Sequence, residues 1–187
     1  MDWRRAAPWL VVFAAVAALA LRGLAQPPLH GLGRNATVAA TVTRVVDGDT
    51  VKVSIAGRRD TVRYIGVDTP ETHPGTPIQC FGEAATAYNR RLVAGRAVLL
   101  RTDAEPRDRY GRLLAYVYRR GDGLFVNAAL VRRGLAAILT IPPNVAHAGE
   151  FRRLERRARE AGVGLWRACA AADVMSTSGS GIASPAP

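Results

Sequence analysis

Five side chains in this sequence have types that could do chemistry together: the carboxylates Asp49, Asp68 and Glu71 and the guanidinium groups of Arg63 and Arg112. Carboxylate and carbonyl oxygens bind a hard divalent cation, and arginine forks match the paired oxygens of a phosphate. A further carboxylate can take a proton from water. Hydrolysis of a phosphodiester calls on all three. Taken singly, each residue has a plainer reading, Asp47 and Asp49 as turn formers and Arg63 as a side chain reaching out from a rim. Two placements argue for the set. Counting by twos, Asp49 shares a strand face with Val51, Val53 and Ile55, whereas Thr50, Lys52 and Ser54 share the other, so a carboxylate ends a core-facing stripe. Arg63 sits among Val62, Tyr64, Ile65 and Val67 with no other charge until Asp68.

The elements that must hold these residues are short. Val38 to Val46, Thr50 to Ile55 and Thr61 to Val67 are β-branched runs parted by Asp47-Gly48-Asp49 and Ala56-Gly57-Arg58-Arg59, which predicts three antiparallel strands joined by tight turns. Phe81, Ala84, Ala85, Tyr88 and Leu92 follow helical spacing, and Gly95 ends that helix. Strands are expected over Ala97 to Thr102 and Leu113 to Tyr118, then helices over Leu124 to Arg133 and Glu150 to Ala161, the last with Phe151, Leu154 and Ala158 on one face. Five strands with a helix after the third predict an α+β fold. It is a small five-stranded barrel of the oligonucleotide/oligosaccharide-binding (OB) type with three helices.

The 187 residues suit one domain, and 49% hydrophobic with 22% charged residues fit a packed core. Two cysteines and three scattered histidines exclude a zinc ribbon or a disulfide-stapled miniprotein. Arg4 and Arg5 precede the apolar run Trp9 to Leu21, and Gly23-Leu24-Ala25 follows, so residues 1–25 read as a cleaved export signal, with an uncleaved membrane anchor as the alternative. Pro8 and Arg22 bracket that run too closely for the about 20 apolar residues of a membrane span. Residues 173–187 are small and polar and read as a flexible tail, which leaves 36–172 as the folded domain. The formal charge is +11, and Lys52 is the single lysine among 26 basic residues. Removing residues 1–25 leaves +9, a balance that draws polyanions, although a genome rich in arginine codons gives the same count.

Four runs, Val46-Asp47-Gly48-Asp49-Thr50-Val51, Arg63 to Thr72, Asp108 to Tyr118 and Leu130 to Ala136, together resemble the thermonuclease (staphylococcal nuclease-like) family across residues 40 to 166. The resemblance implies a calcium-dependent nuclease on a five-stranded barrel; with the N-terminal segment read above, the expectation is a monomer acting on DNA and/or RNA, secreted or periplasmic, or membrane-anchored if that segment is uncleaved. Asp49, Asp68 and the Thr69 carbonyl would ligate Ca2+. Glu71 matches the general base, Arg63 and Arg112 the two phosphate-holding arginines, and Arg109 and Tyr110 positions beside a terminal phosphate. The family's aromatic stacking pair falls near Leu139-Thr140-Ile141-Pro142, where no aromatic stands. Base stacking contributes about 1–3 kcal/mol per base, so a weaker grip on the nucleotide is expected. The segment Thr72 to Gln79 also departs from the family, and its His73 reads as a solvated loop residue.

An exported chain meets oxidising conditions, which favours a Cys80–Cys169 disulfide over two free thiols. No protein partner is implied, and membrane contact would come only through an uncleaved N-terminal segment. Two other classes stay in view. A non-catalytic nucleic-acid-binding module could use the same barrel, but such modules have their catalytic positions replaced and here all are filled. An acidic-lipid-binding helix over Arg152 to Arg159 is less well supported, because Glu150, Glu155 and Glu160 interleave with the arginines as on a solvated face.

Overall fold

The computed structural model describes residues 32–72 and 79–169. The proposed export segment, the 173–187 tail and His73 lie outside them. Strands β1 (Thr37–Val45), β2 (Thr50–Ile55), β3 (Arg58–Tyr64), β5 (Ala97–Arg101) and β6 (Leu113–Arg119) close into a barrel in the order β1-β2-β3-β6-β5. Every pairing is antiparallel except β3 with β6, where Val62 faces Leu113 and Tyr64 faces Ala115. Alternation fills the inside: Val51, Val53, Ile55, Val62, Tyr64, Val98, Leu100, Leu113, Ala115 and Val117 are all buried. Closure removes the sheet edges that a five-stranded sheet would otherwise expose.

The third predicted strand, Thr61 to Val67, is two strands. β3 begins earlier, at Arg58, and the chain breaks at Gly66 to start β4 (Gly66–Asp68), which pairs with β7 (Ala137–Leu139) in a separate two-stranded sheet. Gly66 has φ 79°, and a Cβ there would lie 2.5 Å from the Phe151 ring, so this bend tolerates no side chain. The bend carries Asp68 off the barrel wall. Asn127, fully buried, clamps it: its Nδ2 donates to the Ile65 carbonyl (2.9 Å) and its Oδ1 accepts from the Val117 N–H (2.9 Å).

Helix α1 (Gly82–Val93) forms where expected but turns a different face inward. Ala85, Thr86, Asn89 and Val93 are buried, while Ala84 is exposed and Tyr88 and Leu92 are half-buried. The reason is Asn89, which accepts from Tyr64 Oη (3.0 Å) and donates to the Asp47 carbonyl (3.1 Å), so a polar residue takes a core position. Helix α2 (Val126–Arg132) is buried along nearly its whole length, and α3 (Ala148–Glu160) buries Ala148, Phe151, Glu155 and Ala158. Leu154, expected on that face, is only half-buried. Glu155 displaces it because its Oε1 accepts from the Ile138 N–H (3.1 Å) on the outer edge of β7. A single further turn, α4 (Leu165–Ala168), ends the described chain at Cys169. Cys169 is bonded to Cys80, with Cα atoms 5.9 Å apart, which ties the C-terminus of the fold to the start of α1.

Candidate active site

The turn between β1 and β2 places the first carboxylate. Val46 and Asp47 N–H groups both donate to the Thr50 carbonyl, and Asp47 Oδ1 accepts from the Asp49 N–H (3.0 Å). Asp49 is thereby buried at the barrel mouth with both oxygens engaged. Oδ2 accepts from Thr69 N–H (2.7 Å) and Thr69 Oγ1 (3.0 Å), and Oδ1 accepts from Thr50 Oγ1 (3.2 Å). Gly48 lets Thr69 come this close, since a Cβ at Gly48 would lie 2.6–2.7 Å from the Thr69 side chain.

Arg63 joins the barrel carboxylate to the one beyond the bend. Its Nη1 lies 3.2 Å from Asp49 Oδ2 and its Nη2 2.6 Å from Asp68 Oδ1. The same Nη1 donates to the Val67 carbonyl (2.7 Å) and the Tyr64 carbonyl (3.1 Å). A single guanidinium thus spans two carboxylates, a task a lysine ammonium cannot do at fixed geometry. Burial pushes the Asp49 carboxyl up to about 7; Arg63 opposes that shift and the neighbouring Asp47 charge adds to it. Burial also pushes Asp68 up, again opposed by Arg63 and reinforced by Glu71. For both carboxyls burial is the main cause and Arg63 the main counterweight.

Glu71 reaches the surface just past Asp68. Its backbone is pinned on both sides, its N–H donating to Gln79 Oε1 (2.9 Å) and its carbonyl accepting from the Gln79 N–H (3.1 Å). The N-terminus of α1 packs behind it, where a Cβ at Gly82 would lie 2.9 Å from the Pro70 and Glu71 carbonyls.

Arg112 arrives from the loop before β6. Asp108 holds it, accepting from Arg112 Nε (2.6 Å) at one oxygen and from the Arg112 and Tyr110 N–H groups (2.9 and 3.0 Å) at the other. Arg109 and Arg112 flank the Tyr110 ring, at 4.7 and 5.5 Å from its centroid, and Arg109 Nη2 donates to Tyr110 Oη. The Tyr110 ring, 68% exposed, stands over a cavity of about 490 Å³ that Arg63, Asp108, Arg112, Leu139 and Ile141 also line. Leu139 and Ile141, both exposed, occupy the wall where the resembled family carries aromatics.

The structure therefore gathers Asp49, Arg63, Asp68 and Thr69 into one hydrogen-bonded cluster, sets Glu71 at its edge, and brings Arg63, Arg109, Tyr110 and Arg112 to one cavity. Among the described residues no three acidic, imidazole or thiol groups converge at ligand distance. Sequence reasoning missed Asp108 and Asn89. The four-residue spacing from Asp108 to Arg112 was the available signal for the first, and nothing in the sequence marks the second.

Comparison with known proteins gives the family. Residues 61–168 match the family model described as staphylococcal nuclease homologue. The chain is 40% identical to a thermonuclease of Staphylococcus intermedius over 126 residues, covering 67% of this chain and 74% of that one. It is 34% identical to a thermonuclease of Staphylococcus hyicus over 161 residues, covering 84% and 94%. It is also 41% identical to Endonuclease YncB of Bacillus subtilis over 140 residues, which is 73% of this chain and 65% of that protein. With residues 61–168 matching the family model and the two thermonucleases 40% and 34% identical over most of their length, the chain belongs to the staphylococcal nuclease homologues.

Proposed function

We propose that this protein is a calcium-dependent nuclease that hydrolyses phosphodiester bonds in DNA and/or RNA by attack of water. The observation that carries the reading is the Asp49–Arg63–Asp68 bridge opening onto the cavity that Arg112 also lines. In it, Arg63 and Arg112 hold the scissile phosphate and offset the charge that grows on its oxygens in the transition state. Asp108 fixes Arg112 through its Nε and its backbone, which leaves the end of the guanidinium for the phosphate. Glu71, an exposed residue anchored by its backbone, orients a water and takes its proton.

The donor set near Asp49 fits a hard cation. It is all oxygen: the Asp49 and Asp68 carboxylates and the Thr69 carbonyl, which accepts no hydrogen bond from the described residues. A bound Ca2+ would offset the charge of the two carboxylates and draw charge from the phosphate. Tyr110 and Arg109 contact the flanking phosphate. With Leu139 and Ile141 in place of a stacking pair, the sugar and base are held by apolar contact and shape more than by ring overlap.

In this reading residues 1–25 export the chain or tether it, and it works as a monomer outside the cytoplasm. The test is incubation of purified protein with labelled DNA and labelled RNA, with calcium or with excess chelator. Shortened product with calcium only supports the reading, and activity that survives chelation refutes the metal. Binding without any product would favour the non-catalytic OB-fold module.

A further inference from the structure

A second concavity, of about 720 Å³, opens between α1 and the end of α2. Phe81, Tyr88, Arg91, Arg132, Arg133 and Leu135 line it. Tyr88 lines it because Asn89 takes the buried position on α1 and leaves Tyr88 half-buried. Two guanidinium groups pack against this one ring, Arg91 at 5.6 Å and Arg133 at 5.9 Å from its centroid. No carboxylate lines the concavity, and among the described residues none of the three arginines is ion-paired. Other arginines, among them Arg58, Arg59 and Arg120, likewise have no carboxylate partner among the described residues, so what sets this wall apart is that two of its arginines share the Tyr88 ring. Three like charges converging on one wall repel unless an anion joins them, and a guanidinium stacked on a ring keeps its N–H edge for a phosphate. The rest of the wall, Phe81, Leu135 and the Tyr88 ring, is suited to sugars and base faces.

The position of this concavity relative to the candidate active site gives it a role. Phe81 immediately precedes α1, whose first residue packs on the Pro70 and Glu71 carbonyls. The concavity thus begins just beyond Glu71. On its other side Leu135 leads into β7, where Ala137 pairs with Asp68 and Leu139 reaches the first cavity. Leu135 to Leu139 spans about 13 Å at roughly 3.3 Å per extended residue. The Asp68–Glu71 edge therefore lies between two cavities, one walled by Tyr110 and Arg112, the other by Tyr88 and the three arginines.

We propose that the Arg91–Arg132–Arg133 concavity is a second subsite, which grips the phosphodiester backbone of the single strand running past Glu71 on the far side of the cleavage point from Tyr110. The proposal rests on the nuclease reading for its placement, but not for its chemistry. It makes affinity depend on substrate length, because a strand too short to span both cavities gains nothing from it.

The test compares the full chain with its Arg91→Gln/Arg132→Gln/Arg133→Gln variant, none of whose changed residues belongs to the candidate active site. Circular dichroism and thermal melting check that both are folded, and an Arg→Lys triple variant serves as a second probe that keeps the charge. With calcium, cleavage of a dinucleotide should have the same kcat/KM within about twofold in all three proteins. Cleavage of a single strand of about 20 nucleotides, longer than most single-domain site sizes, should show KM raised at least about tenfold in the glutamine variant, with kcat unchanged. In chelator, anisotropy of the same labelled strand should show weaker binding and a salt slope smaller by about 2, from three lost contacts at roughly 0.7 each. The lysine variant should keep the slope and lose part of the affinity. Equal KM and equal binding of the long strand by wild type and glutamine variant overturn the subsite. So does tighter binding of phosphatidylserine vesicles than of the strand, since the arginines would then face a membrane. If the wild type binds the long strand in chelator but cleaves nothing with calcium, the nuclease reading fails. The glutamine variant's binding still decides the subsite.

Discussion

Gly48→Ala tests whether the close approach of the β1–β2 turn to Thr69 is what holds the carboxylate cluster together. The φ of Gly48 lies outside the left-handed region, so alanine brings no backbone strain and the whole effect must come from contact. The added methyl would lie 2.6 Å from Thr69 Oγ1 and 2.7 Å from its Cβ and Cγ2. Because Cβ is among these atoms, a rotamer change cannot relieve the contact and the Thr69 backbone must move. That movement stretches both hydrogen bonds from Thr69 to Asp49 Oδ2, now 2.7 and 3.0 Å. Overpacking costs about 1–3 kcal/mol, and weakening bonds to a charged acceptor adds a further part of about 1.5–3 kcal/mol each. A loss of about 2–4 kcal/mol is expected in urea unfolding followed by circular dichroism. Activity should fall about 100-fold, the effect of displacing a positioning group by roughly 1 Å. Gly57→Ala is the control: its φ is 82° and nothing lies within 4 Å, so it should cost only the about 1–2 kcal/mol of a left-handed alanine and leave activity intact. A Gly48→Ala protein within about 0.5 kcal/mol of wild type and fully active would refute the reasoning.

Arg63→Lys removes a fork that touches Asp49, Asp68 and two carbonyls, and Arg112→Lys removes one held by Asp108. Each should lower kcat by about 10²–10³ while binding of uncleaved substrate in chelator changes far less, which steady-state kinetics beside anisotropy would resolve. Ile141→Tyr, at an exposed site on the first cavity, should tighten binding of a nucleoside bisphosphate by an amount equivalent to about 1–3 kcal/mol, read by calorimetry. The Cys80–Cys169 bond closes a sequence separation of 89, so the Cys80→Ala/Cys169→Ala protein should lose about 4–5 kcal/mol in denaturant unfolding if chain entropy dominates. A loss under about 1 kcal/mol would show that the oxidised and reduced chains are equally constrained when unfolded.

The barrel was legible because its signals are local. Turn residues part runs of alternating residues, and Val51, Val53 and Ile55 are buried on the face that Asp49 shares. The misreadings share one physical cause, polar side chains buried through partners distant in sequence. Asn89 rotates α1 because Tyr64 and the Asp47 carbonyl claim it, and Glu155 takes a buried position on α3 because β7 has an unpaired N–H. The β4–β7 sheet went unseen since each strand is only three residues long, too short for a period of two to register. For the site, spacing brought forward the acids and arginines. That Arg63 would touch both Asp49 and Asp68 depends on the bend at Gly66, and Asp108 reads as a turn residue until Arg112 is seen folded onto it.

The central claim, that water attacks a phosphodiester held by Arg63 and Arg112 with Glu71 as its base, is tested most directly by one comparison. Wild type and Glu71→Gln, both folded, are given the same labelled single-stranded DNA with saturating calcium, and the single-turnover cleavage rate is measured. The glutamine keeps the size and the backbone contacts to Gln79 while removing the proton acceptor. The account predicts that wild type cleaves and that Glu71→Gln is slower by about 10²–10⁴ while binding the strand equally well. A Glu71→Gln rate within about threefold of wild type, or a wild type that binds but never cleaves, would contradict it.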